Sequence, residues 1–523
     1  MLSWFTGRKA VVAAPTVRQS RDVIAELPQN NAVAAVGAVT EALVVINSSD
    51  ALTLDKRYTE IQRLESAAVT HTHTLLREYL NTARQKKLRE GELWNSAYEC
   101  WSELATAYVG CVQRYAADIR SGMAFLPHAP VALARAVRAL RRQLQWARIR
   151  YAEPSAELWA GLATLMVYAD ANAFDQPVEI YPGETTTVKG EFLKALMQAV
   201  LSCENLRPPA QDIASAVVSQ FASKFVLSVT MDEGCTHWFD LNNPRAPART
   251  TRKPPPDAKV RYFGAAAAVD ALGDALSYLA SSRQLPPGFA LGVSADPAFV
   301  QSILEHVHQD WSGKTQARQH ERRKLNTRIT VVPGFEAILR TLEFSISDSL
   351  DFTDQRDAES WVVDDVSESG YGAVIPAVAG DWVEIGSLVG VEGDVAREWR
   401  VGVVRRVSRE DEQQRVGIQL LGRNAFMVRL QRGEDGRAGL SEAPHESKQT
   451  LAIFLGTDAS GNMGAGLKAD MPVEALVSGG SFTSMESVLM LNADQRVVLR
   501  PKAVVERSAA FDRVTFTVAS IEA

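Results

Sequence analysis

The sequence predicts a multidomain α + β chain, with an N-terminal all-α helical bundle or hairpin region followed by a mainly antiparallel β half. Three observations carry this. Apolar residues recur at spacings of three and four through most of the first 317 positions. Beyond Glu321, short Val, Ile and Thr runs alternate with polar residues between Gly, Asp and Asn. A chain of 523 residues with 46% hydrophobic composition suits several cores better than one.

Residues 1–50 read as an N-terminal segment, partly flexible. Arg8 and Lys9 precede only the brief apolar run Ala10 to Ala14, too short for a signal-peptide core. Ala32 to Ile46 is interrupted by Thr40 and Glu41 and falls short of the ~20 residues a spanning helix needs. Cys100, Cys111, Cys203 and Cys235 form no CxxC pair, which fits small buried thiols in a reducing compartment. A soluble, cytoplasmic protein without a transmembrane segment is expected.

Residues 51–240 form the expected helical domain. Trp94, Ala97, Tyr98, Trp101, Leu104, Ala105 and Tyr108 make one apolar stripe. A second segment opens at Pro154-Ser155, where Ser155 can cap, and runs through Trp159, Leu162, Ala163, Met166 and Val167. Residues 241–260, with five prolines among Arg245, Arg249, Arg252 and Lys253, resist helix and sheet and read as a linker or loop. Helical patterning resumes over 261–317, with Asp296-Pro297 marking a start.

Within the helical region, Val131 to Arg150 carries Arg135, Arg138, Arg141, Arg142, Arg148 and Arg150 between apolar positions. A solvated helix face is the expected explanation, and docking of an acidic partner or a membrane surface is the alternative. His71 and His73, like His306 and His308, lie two apart, so on a helix they diverge and no metal site is expected. Residues 321–523 hold 23 Lys/Arg against 31 Asp/Glu, a balance of −8 that opposes general nucleic-acid binding.

The β half concentrates its chemistry in two stretches, Glu321-Arg322-Arg323-Lys324-Leu325-Asn326-Thr327-Arg328 and Asp365-Val366-Ser367-Glu368-Ser369-Gly370. Arginine presents a planar fork to phosphate or to guanine, while Asp, Ser and glycine-flanked amides offer short fixed groups to a base edge. The two stretches resemble the PilZ family, whose signature is RxxxR followed by [D/N]xSxxG. Asp365, Ser367 and Gly370 fit the second element; the first reads KxxxR from Lys324 to Arg328, and an ammonium lacks the bidentate fork. The resemblance covers about 321–427 and implies a PilZ-like antiparallel β-barrel over 318–430. Beyond it, the runs Leu451 to Leu455, Val488 to Leu491, Val497 to Leu499 and Val514 to Val518 read as strands of a further small β unit over 448–523, a second barrel or an extension of the first.

The resemblance also implies that cyclic di-GMP is the ligand. Arg322, Arg323, Lys324 and Arg328 would embrace phosphates and guanine, Asp365 and Ser367 would bond a guanine edge, and Gly370 would permit the tight turn. The expectation is a signal receptor, not an enzyme, without cofactor or metal, whose helical region engages a protein partner when nucleotide binding at the helical/β junction changes the domain arrangement. The alternative is a degenerate PilZ-like adaptor that binds no nucleotide. No GxSxG, Walker loop, HExxH or GxGxxG string supports a third reading as an enzyme.

Overall fold

The computed structural model describes residues 19–82, 87–118, 120, 123–289, 291, 296–313, 322–346, 358–376, 382–393, 399–410, 412–422, 424–432, 449–456, 467–482, 486–492, 495–508 and 510–522. The segment 1–50, expected to be partly flexible, is helical over Ser20–Ala25 and Ala32–Ser48, and its residues 1–18 lie outside the described ones. The chain divides into two units, Met1–Gln316 and Ala317–Ala523.

The first unit is a helical bundle: α1 (Ser20–Ala25), α2 (Ala32–Ser48), α3 (Leu54–Asn81), α4 (Lys87–Ala117), α5 (Ala129–Ile149), α6 (Ala156–Ala171), α7 (Val188–Ala199), α8 (Pro208–Gln220), α9 (Ala268–Ser282) and α10 (Pro297–Trp311). The apolar stretch within 32–46 is an ordinary core helix, burying Val36, Val39, Leu43 and Ile46. No described helix is long and apolar enough to cross a membrane. The Trp94 stripe packs as its spacing requires, with Ala97, Trp101, Leu104, Ala105 and Tyr108 buried on α4. Ser155 caps α6 by accepting from the Leu158 amide at 3.3 Å, whereas Asp296 makes no side-chain cap bond and Pro297 alone marks the start of α10.

The arginine-bearing segment overturns the expectation of a solvated face. Helix α5 is the central helix, with 17 of its 21 residues buried, and its many alanines let neighbouring helices approach on nearly every side. Arg135 bonds Glu65 at 2.8 Å and the Ile180 carbonyl; Arg138 bonds Glu184; Arg141 pairs with Glu191 at 3.5 Å; Arg148 donates to the Ala199 and Leu201 carbonyls. These partners lie 45 to 70 residues away in sequence, which is why periodicity alone reads the charges as solvated.

Two small sheets also sit in this unit. A hairpin joins β1 (Val178–Tyr181) to β2 (Glu184–Thr186). Strands β3 (Val226–Ser228), β4 (His237–Asp240), β5 (Ala248–Arg249) and β6 (Val260–Gly264) form a sheet in the order β3-β6-β4-β5. The proline-rich stretch 241–260, expected as a linker or loop that resists sheet, therefore supplies the two-residue strand β5 and the first residue of β6. Asp240 pins both ends, its Oδ1 accepting from the amides of Asn242 at 2.9 Å and Lys259 at 3.1 Å.

The second unit consists of two closed six-stranded antiparallel barrels. The first contains β7 (Arg323–Pro333), β8 (Glu359–Ser367), β9 (Gly370–Pro376), β10 (Leu388–Gly393), β11 (Trp399–Glu410) and β12 (Gln413–Leu420), ordered β10-β11-β12-β9-β8-β7. The second contains β13 (Asn424–Arg432), β14 (Gln449–Gly456), β15 (Pro472–Ser478), β16 (Val488–Asn492), β17 (Gln495–Arg507) and β18 (Phe511–Glu522), ordered β13-β14-β15-β18-β17-β16. Counted from its own first strand, each barrel has the same order. Residues Asn424–Arg432 pair within the second barrel, so the first closes at Leu420 rather than near 430.

Helix α11 (Phe335–Ile346) joins the barrels through one apolar cluster, in which Phe335, Ile338, Leu339 and Leu342 meet Val401 and Val403 of the first and Ile453, Leu455, Leu476 and Phe511 of the second. Arg405 adds a two-pronged bond to Glu506 at 2.6 and 2.7 Å.

Candidate functional site

The two stretches singled out in the β half are about 40 residues apart in sequence and adjacent in the first barrel. Strand β7 pairs with β8 so that Arg323 faces Val366 and Lys324 faces Asp365, and β8 turns through Glu368 and Ser369 into β9. Sheet pairing is what brings the basic cluster to the acidic turn.

The strands are irregular at this spot. Register slips between Lys324 and Thr327 on β7, and between Val363 and Asp365 on β8. Along β8 the in-out alternation of Trp361, Val362 and Val363 stops at Asp364, after which residues 364 to 367 are all half-buried. A bulge has this effect: it bends the strand and re-aims side chains that strict pleating would send inward. Asp364 and Asp365 both find basic partners, Asp364 accepting from Arg415 Nη1 at 2.6 Å and Asp365 accepting from Arg322 Nη1 at 2.9 and 3.1 Å.

The predicted residues do not all converge. Arg322, Arg323, Lys324 and Asp365 sit together at one end of β7 and β8, with Ser367 and Gly370 at the adjoining turn. The Ser367 hydroxyl lies 3.3 Å from that of Ser369 and 3.4 Å from the Gly370 carbonyl. Arg328 faces Val362, three residues from Asp365 and thus roughly 10 Å down the strand. Its Nη1 reaches the Ser360 hydroxyl at 3.4 Å. Arg322, one residue before β7, is the cation in contact with the acidic turn.

Gly370 serves differently from the tight-turn role that the resemblance implied. It has no positive φ; instead, a Cβ there would lie 2.0 Å from the Ile418 carbonyl oxygen, so the close approach of β12 requires glycine. Sequence reasoning missed Gly372. It faces Asp365 in the ladder, and a Cβ on it would come within 2.8 Å of the Asp365 carboxylate. The signal was visible as the second glycine of Gly370-Tyr371-Gly372, but its role depends on the cross-strand register.

Beside the turn lies a cavity of about 500 Å³. Glu368, Ser369 and Arg400 line it from the first barrel, and Glu474 and Thr515 from the second. Its size is in the range of small-molecule sites. Among the described residues no group of three or more His, Cys, Asp or Glu is arranged to hold a metal ion.

Comparison with known proteins bears on the other unit. Residues 18–232, less than half of the chain, match the family model described as "Cyclic-di-GMP receptor FimW, N-terminal domain". The match falls on the helical bundle and includes none of the barrel residues described above. Among curated proteins, none matches the chain.

Proposed function

We propose that the chain is a cyclic di-GMP receptor whose ligand binds the first barrel at the Asp365–Gly370 turn. The observation that carries this is the pairing of the basic segment 322–324 with that turn, which gathers fork-shaped cations and short base-edge groups in one place. The family description matched by residues 18–232 supports the same ligand from a separate part of the chain. In this reading Arg322, Arg323 and Lys324 contact phosphate or guanine, Asp365 and Ser367 take a guanine edge, and Arg328 contributes from further along β7.

The PilZ assignment of the barrel belongs to the same proposal, on the DxSxxG string and the six-stranded closed sheet. So do the non-catalytic role, the absence of a cofactor, the cytoplasmic location, and an output in which binding changes the arrangement of the units or the engagement of a protein partner. Because Arg322 and Asp365 bond each other, the ligand must exchange that contact for its own. An exposed ion pair of this kind is worth only about 0 to 1 kcal/mol, so the exchange is not a barrier to binding.

Calorimetric titration of the full-length protein with cyclic di-GMP, with GTP as control, tests the reading. Saturable binding is expected, weakened about tenfold or more in Arg322→Ala and Asp365→Ala, roughly 1.4 kcal/mol or more. Arg328→Ala is expected to weaken it less. Folded wild-type protein that takes up no cyclic di-GMP would sink the proposal and leave the adaptor reading in its place.

A further inference from the structure

The cavity beside the Asp365–Gly370 turn has walls from both barrels, and each barrel brings to it a charged group with bonding capacity to spare. In the second barrel, Glu474 on β15 faces Thr515 on β18, and Leu476 faces Arg513, so all four side chains stand on one face of the sheet. Leu476 packs in the apolar cluster that joins the barrels, and Glu474, two residues along the same face, reaches the cavity. Arg513 holds only one oxygen of Glu474, its Nε and Nη2 lying 2.7 and 2.5 Å from Oε2. The other oxygen, Oε1, accepts no hydrogen bond among the described residues, and the Glu474 side chain is 32% exposed.

From the first barrel comes Arg400 on β11, which pairs with Val391 on β10. It is half-buried in the cavity wall, and among the described residues its guanidinium has neither a carboxylate nor a hydrogen-bond partner. Leu420 and Leu455 make the wall apolar elsewhere, and Ser369 lines the edge towards the turn. The Ser369 hydroxyl lies 3.3 Å from that of Ser367, so the cavity opens one hydroxyl away from the group assigned to a guanine edge.

Apolar walls with an unpaired cation and a half-paired carboxylate match a flat heterocycle that has one accepting edge and one donating edge. Guanine is such a base: its O6 and N7 accept a guanidinium fork, while N1–H and the amino group donate to a carboxylate. Adenine would turn its amino group towards Arg400 and the N1 lone pair towards Glu474. The cavity volume of about 500 Å³ admits a purine. We propose that this inter-barrel cavity is a second base subsite. One guanine of cyclic di-GMP lies on the Asp365–Gly370 turn and the other enters the cavity between Arg400 and Glu474, so that the second barrel takes part in selecting the ligand. This assignment rests on cyclic di-GMP being the ligand of the turn.

The test is calorimetric titration of the full-length protein with cyclic di-GMP and with the mixed cyclic dinucleotide in which adenine replaces one guanine. The wild type is expected to bind the mixed ligand about tenfold more weakly. Arg400→Ala and Glu474→Gln should each lower the affinity for cyclic di-GMP about tenfold, and Glu474→Gln should also narrow the gap between the two ligands, because an amide can donate to adenine N1. Neither side chain is fully buried, and melting temperatures confirm that the variants fold. Binding of cyclic di-GMP that is lost in Asp365→Ala but unchanged in Arg400→Ala and Glu474→Gln would overturn the subsite and leave the turn as the whole site. Equal affinity of the wild type for the two dinucleotides would do the same. A wild type that binds no cyclic di-GMP would remove the ligand itself, and both assignments with it.

Discussion

At Gly372 a hydrogen atom in place of a side chain determines where a carboxylate sits. Because a Cβ would come within 2.8 Å of the Asp365 carboxylate, Gly372→Ala should displace that group while leaving the ladder paired. The expected result is a fall in cyclic di-GMP affinity of about tenfold with little change in melting temperature, measured by calorimetry on the folded variant. The opposite case is Gln414. Its side chain points into the first barrel with Val416 and Ile418, is 0% exposed, and its amide oxygen and nitrogen have no hydrogen-bond partner among the described residues. An unpaired buried amide costs about 1 to 3 kcal/mol, so Gln414→Met, of similar length, should stabilise the protein by about 1 kcal/mol and raise its melting temperature. Unchanged or lower stability would mean that the amide holds a partner such as water.

Among the elements, α5 shows how far sequence alone reaches. Its helical pattern over Val131 to Arg150 and its apolar positions were legible; its burial was not, because arginine counts as a surface residue until its partners are known. Glu65 is the key partner, accepting from Arg135, Tyr108 and Tyr181 at once. Burial alone would lower the pKa of Arg135, but Tyr108 and Glu65 together raise it above its ordinary value. Glu65→Ala leaves a buried guanidinium, the buried Tyr108 hydroxyl and the half-buried Tyr181 hydroxyl without their shared acceptor, and should destabilise the first unit by about 3 to 5 kcal/mol in chemical denaturation. In the β half, alternation made the strands readable and the DxSxxG string marked the turn, but the bulge that groups Asp364 with Asp365 left no local signature. The strands of the helical unit were missed because they are two to five residues long, too short for a period to show.

For the molecule as a whole, acid should act first through His237. Stacked on Phe263 and 8% exposed, its imidazole has a pKa lowered to about 4, by burial and then by Arg249. Between about pH 6.5 and 4 the unfolded chain therefore binds a proton that the native state refuses, and stability falls with pH across that window by up to roughly 3 kcal/mol. Glu191 adds to the same slope lower down. Burial opposes its ionisation, but Arg141, Lys194 and Arg138 hold its pKa at about 2, so its contribution fades as pH falls from about 4.5 towards 2. Denaturation midpoints measured from pH 7 to 4 should decline in the wild type and decline less in His237→Phe.

The shared strand order of the two barrels has a consequence for how the chain reaches its native state. Each nascent strand has a topologically equivalent competitor in the same polypeptide, and cross-pairing between like domains is a characteristic misfolding route of tandem architectures. The two interiors discourage it by shape. The first is built around Trp361, stacked on Trp382, while the second is filled by Phe516 and Phe454. A strand placed in the wrong barrel would therefore bring a side chain of the wrong volume, leaving a void or a clash where the native partner packs closely.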